Sequence, residues 1–190
     1  MRLGAYRGWA VLLVCAAMGL SACGGGKDKA SPPTTSSTTT STAVTSTTTV
    51  EEKAVLDAYQ GYWKAILAAN DPPDQFNPDL KKYATGDAYT SVFNAAQANR
   101  VQGHALRLPP DSRSRHDAKV MSVANGQATV SDCAVDDGLV VNIATGEVLN
   151  NEVTTRRVTA TLLLVEGAWK VSTTHTEESW KGVAGCAASE

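Results

Sequence analysis

Residues 120–137 read VMSVANGQATVSDCAVDD, and the fold class follows from them. Asn125-Gly126 is the favoured dipeptide of a type I′ hairpin turn, where both central residues take positive φ. On either side the apolar period is two, as in a half-buried strand. Counting outward from the turn pairs Val123 with Ala128, Met121 with Val130 and Lys119 with Asp132. Glu166-Gly167 predicts a second hairpin. There Leu164 faces Trp169, Leu162 faces Val171, Ala160 faces Thr173 and Val158 faces His175. Between the two, Leu139 to Ile143 reads as another strand that turns at Thr145-Gly146.

Upstream of Gly103 the period is helical. Thr49 and Glu52 are spaced as a capping box. Behind them Ala54/Val55, Ala58/Tyr59, Tyr62/Trp63 and Ile66/Leu67 recur every four residues, one apolar face of about five helical turns. Pro72-Pro73 stops that helix. Asn77-Pro78 opens a short second helix over Leu80 and Tyr83. Ala88/Tyr89, Val92/Phe93 and Ala96 mark a third, ending before Gly103. Three helices followed by a run of antiparallel strands is an α+β order, with the helices covering one face of a sheet.

That pattern resembles the NTF2-like family, also called cystatin-like or SnoaL-like: three N-terminal helices packed on a curved antiparallel sheet that forms a cone. More narrowly, the chain is similar to secreted and lipid-anchored bacterial members. The residues that carry this resemblance are Asp132-Cys133-Ala134-Val135-Asp136-Asp137, Ala144-Thr145-Gly146, Gly167-Ala168-Trp169-Lys170-Val171 and the late Cys186. It covers about residues 51–187. It implies a fold and not an activity, because the family includes isomerases, hydrolases, cyclases, ligand carriers and protein-binding modules.

The N-terminal residues address the chain to a compartment. Arg2 and Arg7 precede an apolar stretch from Trp9 to Leu20, which is too short to span a bilayer and has the length of a signal-peptide core. It ends in Leu20-Ser21-Ala22-Cys23, which resembles the lipobox of bacterial lipoproteins. The expected organisation is a signal peptide over 1–22, a lipidated Cys23 with a Ser/Thr-rich tether over 23–50, and the domain over 51–190. A diacyl (palmitate-type) anchor on Cys23 gives stable membrane attachment. Fifteen of the twenty residues from Ser31 to Val50 are Ser or Thr, and nothing there can bury an apolar face. The expected location is therefore the extracytoplasmic side of the cell membrane.

Composition narrows the function classes. The 190 residues carry 17 Lys plus Arg against 19 Asp plus Glu, a formal net charge of −2. That balance excludes a nucleic-acid binder that works by bulk positive charge. The 43 % hydrophobic content argues against a wholly disordered chain. Besides Cys15 and Cys23, Cys133 and Cys186 remain, an even count outside the cytoplasm, which reads as a structural disulfide. A redox pair and a metal site are the alternatives, but there is no CxxC and no His lies beside either cysteine in sequence. Cys186 lies ten to fifteen residues beyond the last predicted strand. A bridge would tie that tail to the sheet and contribute on the order of 4 kcal/mol on the chain-entropy argument.

His104, His116 and His175 are scattered, with no HExxH and no regular His/Asp spacing, so neither a metal site nor a cofactor is expected. Asp132, Asp136 and Asp137 lack the glycine-centred loop of an EF-hand and read as a solvated turn cluster. There is no Gly-x-Ser-x-Gly and no phosphate loop.

The remaining candidate is the cone. In the family, chemistry sits between the first helix and the sheet, where burial of a carboxylate yields a usable acid or base. Tyr59, Tyr62 and Trp63 lie on the apolar side of the first helix, and Trp169 on the sheet, as candidate ligand contacts. Asp132, His175 and Tyr59 form a candidate proton-transfer set. Against it, the predicted register places Lys119 opposite Asp132 as an ion pair, and His175 at the end of its strand. The reading that follows is a lipid-anchored binding or accessory module for a small apolar ligand or an envelope protein. The alternative is a pocket enzyme of isomerase or hydrolase type. A third reading is an accessory subunit docked by its sheet, for instance as a homodimer.

Overall fold

The structure is a computed structural model that describes residues 49–186. The expected signal peptide, the lipidated Cys23 and the tether up to residue 48 lie outside the described residues. The first helix, α1, runs Val50–Ala68, with the predicted capping box in place. The Glu52 amide donates to Thr49 Oγ1 at 3.1 Å and the Thr49 amide donates to Glu52 Oε2 at 2.7 Å. The second, α2, runs Pro78–Tyr83, and Asn77 caps it by accepting from the Asp79 amide. The third, α3, runs Gly86–Gln102 and ends at Gly103, which takes the left-handed φ of 69°.

Seven strands follow among the described residues: β1 His104–Arg107, β2 Arg115–Ala124, β3 Gln127–Asp136, β4 Leu139–Asn142, β5 Val148–Asn150, β6 Thr154–Val165 and β7 Ala168–Lys181. They form two antiparallel sheets, β2-β3-β6-β7 and β1-β4-β5, rather than one. The order of helices then strands is the predicted α+β arrangement.

Both hairpin turns close where the sequence placed them. Val123 pairs with Ala128, Leu164 with Trp169 and Leu162 with Val171. Further out the registers depart from the prediction. Met121 is a β-bulge, so Val120 faces Val130 and Ala118 faces Asp132; Lys119 faces Ser131 and is not the partner of Asp132. Ser172 is a second bulge, so Ala160 faces Thr174, and His175 faces Thr159 instead of Val158. An extra residue on one strand turns everything beyond it onto the opposite face. β7 also continues to Lys181, so His175 is in mid-strand and the tail before Cys186 is short.

The core lies between the helices and the four-stranded sheet. Tyr59, Val55 and Leu80 from the helices meet Val130, Leu162 and Val171 from the strands, all fully buried. Gly61 is required at its position in α1. A Cβ there would lie 2.3 Å from the Tyr83 ring, so the glycine lets α2 pack close despite its cost in a helix interior. Among the described residues, no helix is long and apolar enough to cross a membrane.

Candidate functional site

The bulges decide which side chains meet under α1. Asp132 points into the core from β3 and is 1 % exposed. The Tyr59 hydroxyl donates to Asp132 Oδ2 at 2.8 Å. The predicted third member, His175, is not there. It lies on the far face of β7, exposed, with Nε2 3.7 Å from a Glu177 carboxylate oxygen. Its place is taken by His116, whose Nδ1 is 2.6 Å from the same Asp132 Oδ2. The bulge at Met121 brings His116 to the Asp132 face, and the bulge at Ser172 removes His175 from it.

A carboxylate can only accept, so His116 Nδ1 carries the proton and Nε2 is left as the ring's second polar atom. The His116 side chain is 22 % exposed and that of Asp132 is 0 % exposed, so the imidazole is the outer member of the pair. Trp63 stacks on the imidazole with ring centroids 4.6 Å apart and 23° between planes. Tyr59 meets both rings edge-on. Burial, then the neighbouring Asp132 charge, pushes the Tyr59 phenol well above its ordinary range. Tyr59 is therefore a hydrogen-bond donor here and not a base. Asp132 Oδ1 is buried with no hydrogen-bond partner among the described residues.

Beside this group a cavity of about 230 Å³ opens between the C-terminal half of α1, β1 and the adjoining ends of β2, β3 and β6. Its walls are mainly apolar, from Ile66, Leu67, Leu106, Leu108, Val135 and Val158. His116, Ser114, Asp136 and Arg156 supply the polar contacts. Of the four side chains predicted to contact a ligand, Trp63 lines this cavity. Tyr59, Tyr62 and Trp169 are 0, 3 and 8 % exposed and belong to the packed core. The cone is thus filled next to β7 and hollow at its other end.

The acidic cluster is not simply solvated. Asp137 is 4 % exposed and accepts from Ser112 Oγ at 2.7 Å and from the Arg113 amide. Burial pushes its carboxyl up, but these hydrogen bonds outweigh burial and hold it below the usual carboxylate range. It fixes the loop that delivers Ser114 and His116 to the cavity. Asp136 pairs with Arg156 and caps the Gly138 amide at 2.9 Å. Cys133 and Cys186 are joined by a disulfide, with Cα atoms 6.1 Å apart. Among the described residues no group of three His, Cys, Asp or Glu side chains is arranged to hold a metal ion.

No protein-family profile matches the chain, and no curated protein matches it in sequence. Among solved structures it is similar to the intermembrane space region of the chloroplast protein ARC6, with TM-score 0.50 and 13 % identity, over 66 % of this chain and 95 % of that one. It is also similar to a protein of unknown function from Nostoc punctiforme, with TM-score 0.40 and 13 % identity, over 67 % and 91 % of the two chains. An uncharacterised protein from Caulobacter vibrioides has TM-score 0.40 and 16 % identity, over 64 % and 87 %. The latter two are described as having a cystatin-like fold. At such identities the likeness is one of fold.

Proposed function

We propose that the chain is an extracytoplasmic, lipid-anchored module of NTF2-like type that binds a small apolar ligand in the cavity beside His116. The observation that carries this reading is the cavity itself. It is apolar on most walls, and its one imidazole is held in place by a buried carboxylate. Pockets that bind small molecules combine apolar lining with a few fixed polar groups. An apolar cavity of roughly 150 Å³ already admits benzene. A volume of about 230 Å³ therefore suits a substituted ring or a short alkyl chain.

The test is titration of the full chain with 1-heptanol, followed by the NMR signal of the Trp63 indole. We expect a saturable shift in the wild type, and none in Leu106→Trp, which fills the cavity. An unmoved Trp63 signal in the wild type would overturn the reading, as would equal binding by the filled variant.

The enzyme reading is favoured by one specific observation, the contact of His116 Nδ1 with Asp132. A carboxylate that orients an imidazole leaves Nε2 free for general acid–base work. Mass spectrometry of recovered ligand separates the two: an unchanged ligand fits a binding module, and a converted one fits proton transfer.

The anchor rests on Leu20-Ser21-Ala22-Cys23. Cys23→Ala is expected to abolish labelling by a fatty-acid probe and to release the protein from membranes. Persistent labelling of the variant would refute lipidation at this position.

A further inference from the structure

The cavity beside His116 has a neighbour. A second, more open cavity, of about 290 Å³, lies against the three-stranded sheet, the end of β5 and the start of β6. Leu106, Asp136 and Arg156 line both, so the Arg156–Asp136 ion pair forms a saddle between them. The chambers differ in character. The first is mainly apolar; the second is lined by Asn150, Glu152, Thr154 and Ser179 as well as the saddle pair, beside Leu106 and Val140.

Resting on the binding reading above, we infer that the ligand is an amphiphile with an uncharged, hydroxyl-bearing head. The apolar tail occupies the chamber beside His116, and the head lies across the saddle in the polar chamber. Charge selects the head. The Arg156 guanidinium contacts Asp136, and Glu152 is 3.2 Å from Lys181. An anionic head would meet two carboxylates and a guanidinium already engaged. A cationic head would find both carboxylates already paired, by Arg156 and by Lys181. Hydroxyl groups need neither pair to break. They donate to carboxylate oxygens and to Asn150, and accept from Ser179 and Thr154. The saddle pair stays intact, and a sugar-like head spans it.

Isothermal titration of the full chain compares three probes that share one tail: heptyl β-glucoside, 1-heptanol and heptanoate, each below its micellar concentration. A head making two or three hydrogen bonds is worth roughly tenfold in affinity. We expect the glucoside to bind about tenfold tighter than heptanol, and heptanoate no tighter than heptanol. Ser179→Phe, a substitution on the exposed part of β7, should fill the polar chamber. It should cancel the advantage of the glucoside and leave heptanol unchanged. Heptanol binding with no gain from the glucoside overturns the amphiphile inference and leaves the cavity reading standing. Heptanoate as the tightest probe overturns it too, in favour of an anion site at Arg156. If neither the glucoside nor heptanol binds, the cavity reading falls and this inference with it.

Discussion

Replacing His116 with Leu is expected to destabilise the domain by about 1.5–3 kcal/mol, the usual effect of removing a hydrogen-bond donor from a buried carboxylate. The reason lies in what remains. Asp132 stays fully buried with Tyr59 as its one hydrogen-bond donor, and its other oxygen already lacks a partner. Domain stabilities are typically about 5–15 kcal/mol, so the variant should lose a measurable share of its margin. A second variant separates charge from shape. In His116→Leu/Asp132→Asn the charge is gone, and the amide oxygen still accepts from Tyr59. Most of the lost stability should return, because no buried carboxylate is then left short of a donor. Tyr59→Phe alone should cost about 1–2 kcal/mol, because His116 still faces the carboxylate. Urea midpoints of the three variants and the wild type decide the matter. A His116→Leu midpoint equal to that of the wild type would show that the pair contributes nothing to stability.

The same cluster shows what the sequence discloses and what it conceals. The Asn125-Gly126 and Glu166-Gly167 turns, the Thr49/Glu52 capping box and the helix stop at Gly103 are local chemistry. Each is readable from two to four residues, and each appears where it was expected. The bulges at Met121 and Ser172 are not local in that sense. An extra residue leaves the apolar period nearly intact on either side and changes only its phase. Counting without a bulge puts Lys119 opposite Asp132 and His116 on the far face. Counting with it puts Ala118 opposite Asp132, and His116 becomes a diagonal same-face neighbour within reach of a long side chain. Met121, a large apolar residue at an expected core position, is 65 % exposed, as a bulged residue can be.

The division of aromatic residues has a similar cause. Tyr59, Tyr62, Trp63 and Trp169 all carry the apolar period, which reports burial and cannot separate a core from a cavity wall. The difference is set by what stands opposite. Tyr59 faces filled positions such as Val130 and Leu162. Trp63, one residue further round α1 from Tyr62, faces the cavity lined by β1 and the start of β6. Ile66 and Leu67 share that end. The binding reading therefore rests on the C-terminal half of α1, while the N-terminal half is committed to the core.

Removing the Cys133–Cys186 bridge as the Cys133→Ala/Cys186→Ala variant is expected to cost about 4 kcal/mol of stability on the chain-entropy argument. The bridged residues are 53 apart in sequence, so the loop released into the unfolded state is long. The folded state supplies a competing term. The tail is held by more than sulfur: Thr155 Oγ1 donates to the Gly182 carbonyl at 2.7 Å, and the Gly182 amide donates to Val153. Gly185 sits so close that a Cβ would lie 2.7 Å from Thr155 Cβ and 2.5 Å from the Trp180 ring. These contacts are expected to keep the tail seated in the native state without the bridge, so the loss should come mainly through the unfolded chain. Two measurements distinguish that from local fraying. The urea midpoint should fall while the native protein's protease resistance around residues 182–186 stays unchanged. Rapid cleavage of the tail in the native variant, at an unshifted midpoint, would show instead that the bridge merely fastens the tail. Gly185→Val in the bridged protein is the complementary variant: it should destabilise through Thr155 and Trp180 with the disulfide intact.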